Sequence, residues 1–237
     1  MNPFASPSVC GILPLIKPIG VTSFDMVSLL RRKTGIRTIG HAGTLDPFAT
    51  GVMVMLIGKE YTRLSNRFLN QDKRYRAHIR LGVSTDSYDS DGTIITTSPL
   101  IPTPDQIQET LLRFQGTQQQ IPPMFSAKKI NGKKLYELAR KGITIEREPV
   151  SVTLRIEFLS YEYPDLHLDV HCSKGTYIRS LAHDIGQHLG CNAHLYALTR
   201  TQSGPYTLDD CCDPSQLSNP NYPWQQHLQL TIHATML

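Results

Sequence analysis

Between Gly40 and Gly51 the chain reads GHAGTLDPFATG, a loop that holds one carboxylate, Asp46, among glycines, hydroxyls and a proline. Pro47 fixes its own φ and pushes Asp46 out of the helical region, while Gly40, Gly43 and Gly51 let other backbone come close. The residues that follow, Val52 to Ile57, are all apolar and suit a buried strand. Any fold for this chain has to bury that strand and carry the loop at its end. Taken alone, the loop leaves two readings of Asp46: a residue that starts a turn, or a side chain held out for chemistry.

A chain of 237 residues that is 40% hydrophobic has enough apolar material for one large domain or two small ones. One main domain over 1–210 and a short tail over 211–237 are expected. Lysine and arginine number 24 against 20 acidic residues, a net +4 that fits a polyanionic partner without requiring one. Five cysteines, odd in number and irregularly spaced, argue against a disulfide framework and for a reducing compartment. The N-terminal apolar run lacks a preceding basic region and a cleavage site, and no run approaches the ~18 apolar residues of a membrane helix. A cytoplasmic protein with no membrane association is expected, and a monomer.

Local patterns place the elements. Ile12 to Ile16, interrupted by Pro14, reads as an edge strand. Thr22 and Asp25 form a capping box for a helix that ends near Gly35, with Phe24, Val27 and Leu30 on its apolar side. Arg31, Arg32 and Lys33 either complement that helix dipole or face phosphate. Tyr75 to Leu81 alternates as a half-exposed strand with a basic outer face, and Tyr75 reads as a core aromatic on spacing alone. Thr85 to Thr97 reads as a hairpin, and Asp105 to Phe114 as an amphipathic helix carrying Ile107, Leu111, Leu112 and Phe114. Within the hairpin, Asp89 to Thr93 fits the DxDGT string of haloacid-dehalogenase-like phosphatases, but no apolar strand precedes it. An EF-hand loop fails there too, because Tyr88 falls where an oxygen ligand is needed.

Farther along, Asn131-Gly132 signals a hairpin between two lysine-bearing arms, and Leu135 to Lys141 a short helix stopped by Gly142. Lys128, Lys129, Lys133, Lys134, Arg140 and Lys141 suit either a phosphate-contacting arm or a solvated face. Leu166 to His171 alternates as a strand and leads through Gly175 into a helix over Ile178 to Leu189, an anion-friendly corner. From spacing alone Arg179 is a surface residue of that helix. His183, His188, Cys191 and His194 match no zinc template, and no P-loop is present, so neither metal nor cofactor is expected.

Several of these segments together resemble the TruB family of tRNA pseudouridine synthases. The loop matches GHTGTLDPLATG except at Ala42 and Phe48. Leu15, Lys17, Pro18, Gly20, Thr22 and Ser23 match LDKPxGxTS, with Ile16 in place of the usual Asp. LNQDKRYRA, IPPMFSAKKINGKKLYELAR and CSKGTYIR match further family motifs, while LTRTQSG departs at Thr199. The resemblance implies an α+β fold: a mixed, mostly antiparallel sheet with flanking helices, a cleft across it, and an inserted RNA-gripping arm over about 118–150. It implies that Asp46 is the nucleophile, that Tyr75 stacks on the target base and that Arg179 pairs with the catalytic carboxylate. His41 would fill the space a flipped nucleotide vacates. Gly43, Lys128, Lys129, Lys133 and Tyr177 would contact RNA, and Lys17 and Lys59 phosphate or the supporting structure. The partner implied is the T stem-loop of tRNA, whose uridine 55 becomes pseudouridine. The short tail implies a form without the family's C-terminal PUA domain. Two rivals stand beside this reading: a noncatalytic tRNA-binding protein, and a phosphatase that uses Asp89.

Overall fold

A computed structural model describes residues 9–126, 128–130 and 132–230. The chain forms two compact units, one made of the chain up to Arg74 and from Thr199 onward, the other of Tyr75–Leu198. The first begins with β1 (Gly11–Lys17), α1 (Ser23–Thr34), β2 (Ile39–His41), β3 (Thr50–Ile57), α2 (Lys59–Thr62) and α3 (Ser65–Leu69), and β4 (Lys73–Leu81) leads out of it. The second holds β5 (Val83–Thr85), β6 (Ile94–Thr97), α4 (Pro104–Arg113), β7 (Gly116–Gln120), β8 (Lys129–Ile130), β9 (Lys133–Lys134), α5 (Leu135–Ala139), β10 (Val150–Glu162), β11 (Asp165–Cys172) and α6 (Ile178–His188). Strand β12 (Ala193–Ser203) brings the chain back, and β13 (Tyr206–Thr207) and three short 3-10 turns follow. Mixed, mostly antiparallel strands with flanking helices are the fold class that the sequence implied.

In the first unit the uninterrupted apolar run forms β3, and the reason for the run is burial on both faces. Met53, Met55 and Ile57 pack with Leu13, Leu15, Met26, Val27 and Leu30 on one side. Val52, Val54 and Leu56 pack with Ile12, Phe68 and Tyr206 on the other. Strand β1 pairs antiparallel with β3 from Gly11 opposite Ile57 to Lys17 opposite Gly51, and it lies at the sheet edge, where Pro14 costs no ladder bond. The end of β12 pairs with β3 in parallel, Thr199 opposite Thr50 and Arg200 opposite Gly51.

Helix α1 carries the capping box of Thr22 and Asp25 and ends at Gly35 in the left-handed conformation. Its buried stripe is Ser23, Met26, Val27 and Leu30. Phe24, expected on the apolar side, lies off that i, i+3, i+4, i+7 stripe and is 59% exposed, with the Arg31 guanidinium 5.7 Å from its ring.

In the second unit β4, β11, β10 and β7 lie side by side, with β11 antiparallel to β10 and β10 antiparallel to β7. The expected alternation of β4 is present: Tyr75, Ala77, Ile79 and Leu81 are buried and Arg76 is exposed. Strands β5 and β6 form the expected hairpin, as do β8 and β9, with Lys129 opposite Lys134. Asn131 of that turn lies outside the described residues. Helix α4 begins at a capping box of Thr103 and Gln106 and buries Ile107 and Leu111. Leu112, expected on the same face, points outward and is 72% exposed. Gly190 ends the α6 segment with φ 72°.

Gly51 is the residue on which the β3–β12 pairing depends. Its φ is 111°, and a Cβ there would lie 2.2 Å from the Arg200 carbonyl oxygen. Gly51→Ala is expected to lower stability by at least about 2 kcal/mol, as read from the urea midpoint at unchanged m-value.

Candidate active site

Asp46 sits half-buried at the start of a β-turn, its carbonyl accepting from the Ala49 N–H at 3.1 Å with Pro47 in the second position. The first of the two sequence readings, a turn-initiating Asp, is therefore correct as geometry, and the turn is held from both sides. Before it, the Ser23 hydroxyl donates to the Leu45 carbonyl at 3.0 Å and accepts from the Leu45 N–H at 2.9 Å. After it, the Pro47 carbonyl accepts from the Gly20 N–H at 2.9 Å and from Lys17 Nζ at 3.4 Å.

Lys17 has no exposed surface. Its ammonium donates also to the carbonyls of Pro18 at 2.7 Å and Val21 at 2.8 Å. Of the two roles expected for it, the geometry has the supporting one, since a side chain sealed in this way offers nothing to a phosphate. Burial pushes its pKa down to about 8, with the Asp46 carboxylate opposing that shift and Arg200 adding to it.

Arg200 completes the frame, and the sequence reading passed over it in favour of its neighbour Thr199. It is 1% exposed and donates from Nε to the Val52 carbonyl at 2.7 Å, from Nη2 to Gly43 at 3.1 Å and from Nη1 to Thr44 at 3.5 Å. The available signal was strand parity, which puts Arg200 on the side of the buried Leu198. His41, at the end of β2, has a buried Nδ1 with no hydrogen-bond partner among the described residues. Burial, and then Arg200, push its pKa down, so the ring is a neutral plate. Gly43 has φ 97° and accepts the Arg200 bond through its carbonyl. Lys59 is exposed at the start of α2.

In the second unit Tyr75 is on the buried side of β4, 9% exposed. Arg179, read from spacing as a surface residue, is instead 5% exposed. Its Nη1 donates to the Ser87 carbonyl at 3.1 Å and lies 3.3 Å from Asp89 Oδ2, and its Nη2 donates to the Phe125 carbonyl at 2.7 Å. Asp89, set aside in the sequence as part of a chance DxDGT match, is therefore a structural partner of Arg179. Its other carboxylate oxygen accepts from the Ser87 hydroxyl and from the Asp91 N–H. A buried carboxylate so fully engaged is not presented as a phosphatase nucleophile.

Tyr177 caps α6 half-buried, its N–H donating to Gln120 Oε1 at 2.8 Å and its carbonyl accepting from Gln120 Nε2 at 3.0 Å. Lys128 is half-buried, and the side chains of Lys129 and Lys133 lie outside the described residues. The histidines after Arg179 serve separate ends: His183 stacks on Tyr88, His188 meets Phe114 edge-on and His194 bonds the Val83 carbonyl. Among the described residues no cluster of three or more His, Cys, Asp or Glu is placed to hold a metal.

Residues 31–178 match the model of the TruB family pseudouridylate synthase N-terminal domain. The chain belongs to the TruB family. Residues 179–236 match the tRNA pseudouridylate synthase B C-terminal domain, so the two matches meet at Arg179. Among its relatives, the tRNA pseudouridine synthase B of Protochlamydia amoebophila is 58% identical over 207 residues, covering 87% of this chain and 79% of that protein. That of Chlamydia felis is 54% identical over 219 residues, covering 92% of this chain and 93% of its own length. Among solved structures, a chain of a Cbf5–Nop10–Gar1 complex superimposes with TM-score 0.72 at 28% identity. The match covers 92% of this chain and 56% of that one. An H/ACA ribonucleoprotein bound to a substrate RNA containing 2'-deoxyuridine matches with TM-score 0.67 at 27% identity. Asp46 and Tyr75 thus lie within the TruB N-terminal match.

Arg200→Met removes the donor to three carbonyls around this loop and leaves buried acceptors without a partner. It is expected to cost roughly 2–4 kcal/mol of stability, measured by urea unfolding, and to speed amide exchange over residues 42–49.

Proposed function

We propose that this TruB-family chain is a tRNA pseudouridine synthase that isomerises uridine 55 of the T loop, with Asp46 as the nucleophile. The observation that carries this reading is a carboxylate whose loop is pinned through its backbone by Lys17, Ser23 and Arg200. A side chain set on so fixed a turn has little reorganisation left to do when a substrate arrives.

The reaction breaks the bond between C1' and N1 of the uracil, turns the base, and joins C1' to C5, after which the C5 proton is lost and N1 gains one. Atoms and electrons balance within the nucleoside, so the chemistry asks for no redox partner. Asp46 either bonds to the substrate or balances the cationic sugar while the base is detached. Tyr75 supplies a flat face against the base. Arg179 is the cationic partner of the carboxylate in the reaction. Its engagement with Asp89 aligns the guanidinium for that task. A uridine in a folded loop has to be extruded first, at a cost of a few kcal/mol. The neutral ring of His41 fills the vacated stack. Lys59, Lys128, Lys129, Lys133, Gly43 and Tyr177 contact the RNA, the lysines through phosphates.

We take residues 1–210 as the catalytic domain with its arm, and 211–237 as a short tail. The reading includes a metal-free monomer that works in the cytoplasm. Among the described residues, no helix is long and apolar enough to cross a membrane.

Mapping pseudouridine at single-nucleotide resolution in an unmodified tRNA transcript tests the assignment. Asp46→Asn is expected to abolish product, by about 10³-fold or more, while RNA affinity stays within about threefold. A mutant that still forms pseudouridine ends the nucleophile assignment, and a wild type that binds without modifying leaves the noncatalytic binding reading. Replacing Lys128, Lys129 and Lys133 together by alanine is expected to weaken binding and flatten its log–log salt dependence by about 2 to 3, measured by filter binding. An unchanged slope removes the case for the lysine arm.

A further inference from the structure

The loop between Thr85 and Thr93 holds Arg179 by two groups on either side of Tyr88: the Ser87 carbonyl and the Asp89 carboxylate. Tyr88 itself has φ 65°, a left-handed conformation that side-chain-bearing residues adopt at a cost. Its carbonyl accepts from the Leu195 N–H at 2.9 Å, and its N–H donates to the Thr85 carbonyl at 3.3 Å. The ring lies flat on His183, with centroids 3.9 Å apart and planes at 12°. His183 is four residues beyond Arg179 on α6, one helical turn away and on the same side of the helix. Its Nδ1 is buried and has no hydrogen-bond partner among the described residues, so the ring is kept there for its face.

We infer that the Tyr88–His183 stack is a positioning pair: it clips the 87–89 loop to α6 one turn past Arg179, and so sets the direction in which the guanidinium points. Neither residue touches substrate in this account, and both act through Arg179. The inference rests on the proposed function only in that Arg179 serves the reaction there. The physical need is specific. The backbone bonds at Tyr88 fix its φ, whereas the ring stack is what ties this loop to α6. Without the stack, Ser87 and Asp89 shift on the helix, and the guanidinium loses its alignment. His183 is the group that meets the Tyr88 ring, and a neutral imidazole stacks better there than a charged one that burial would disfavour.

The test uses the full-length protein and three variants, His183→Ala, His183→Phe and Tyr88→Gly, in steady-state turnover of an unmodified tRNA transcript, with hydrogen exchange over residues 85–92. Glycine accepts φ 65° freely, so Tyr88→Gly removes the ring while leaving the backbone shape, and it stands in should His183→Ala fail to fold. His183→Ala and Tyr88→Gly are expected to lower kcat about tenfold or more with KM changed less than about twofold, because misalignment affects the chemical step more than binding. His183→Phe, which restores a flat ring without a titrating nitrogen, is expected to recover kcat to within about threefold of wild type. Exchange over 85–92 should rise in His183→Ala and return in His183→Phe. The inference is overturned by wild-type kcat in both ring-deleted variants, by a loss confined to KM, by His183→Phe as poor as His183→Ala, or by exchange that does not respond. A wild type that makes no pseudouridine defeats the proposed function instead, and the exchange measurement then decides the stack by itself.

Discussion

Buried cations bonded to backbone carbonyls are the constraint on which the first unit turns. Lys17 and Arg200 are both sealed from solvent, and between them they reach the carbonyls of Pro18, Val21, Gly43, Thr44, Pro47 and Val52. Desolvating an ammonium or guanidinium is costly, and several carbonyl dipoles aimed at one charge are what make it tolerable. The same dipoles belong to the turn that holds Asp46. Fixing the cations therefore fixes the turn.

The second unit solves a related problem differently. Arg179 is also buried, but one of its partners, Asp89, is itself charged, and that carboxylate is neutralised further by the Ser87 hydroxyl and the Asp91 N–H. The Phe125 and Ser87 carbonyls accept two more of its hydrogen bonds. An arginine held from several sides in this way has a single orientation rather than a family of them.

Local features of the fold were legible in the sequence because they are written in short-range periodicity. The run from Val52 to Ile57 has to be a strand buried on both faces. Thr22 with Asp25 has to start a helix, and the alternation from Tyr75 to Leu81 has to separate a buried from an exposed face. Phe24 and Leu112 misled because an apolar identity near a helix end does not say whether another element covers it. The site was legible where motifs run contiguously and opaque where partners are distant. Nothing near Arg179 announces that its carboxylate lies at Asp89, some ninety positions earlier, inside a string that imitates a phosphatase motif. Arg200 was hidden for the same reason, its three acceptors all lying in the Gly43 to Val52 stretch.

Lys17, Ser23 and Arg200 grip the Asp46 loop through its main chain, at Gly43, Thr44, Leu45 and Pro47, while Ala42, Leu45, Phe48 and Ala49 bury their side chains. A peptide oxygen is the same whichever residue carries it. A change at an exposed loop position such as Thr44 therefore leaves these bonds in place, while the three outlying grips, Lys17, Ser23 and Arg200, have no such freedom. Much of what holds the carboxylate in place therefore lies in residues outside its loop.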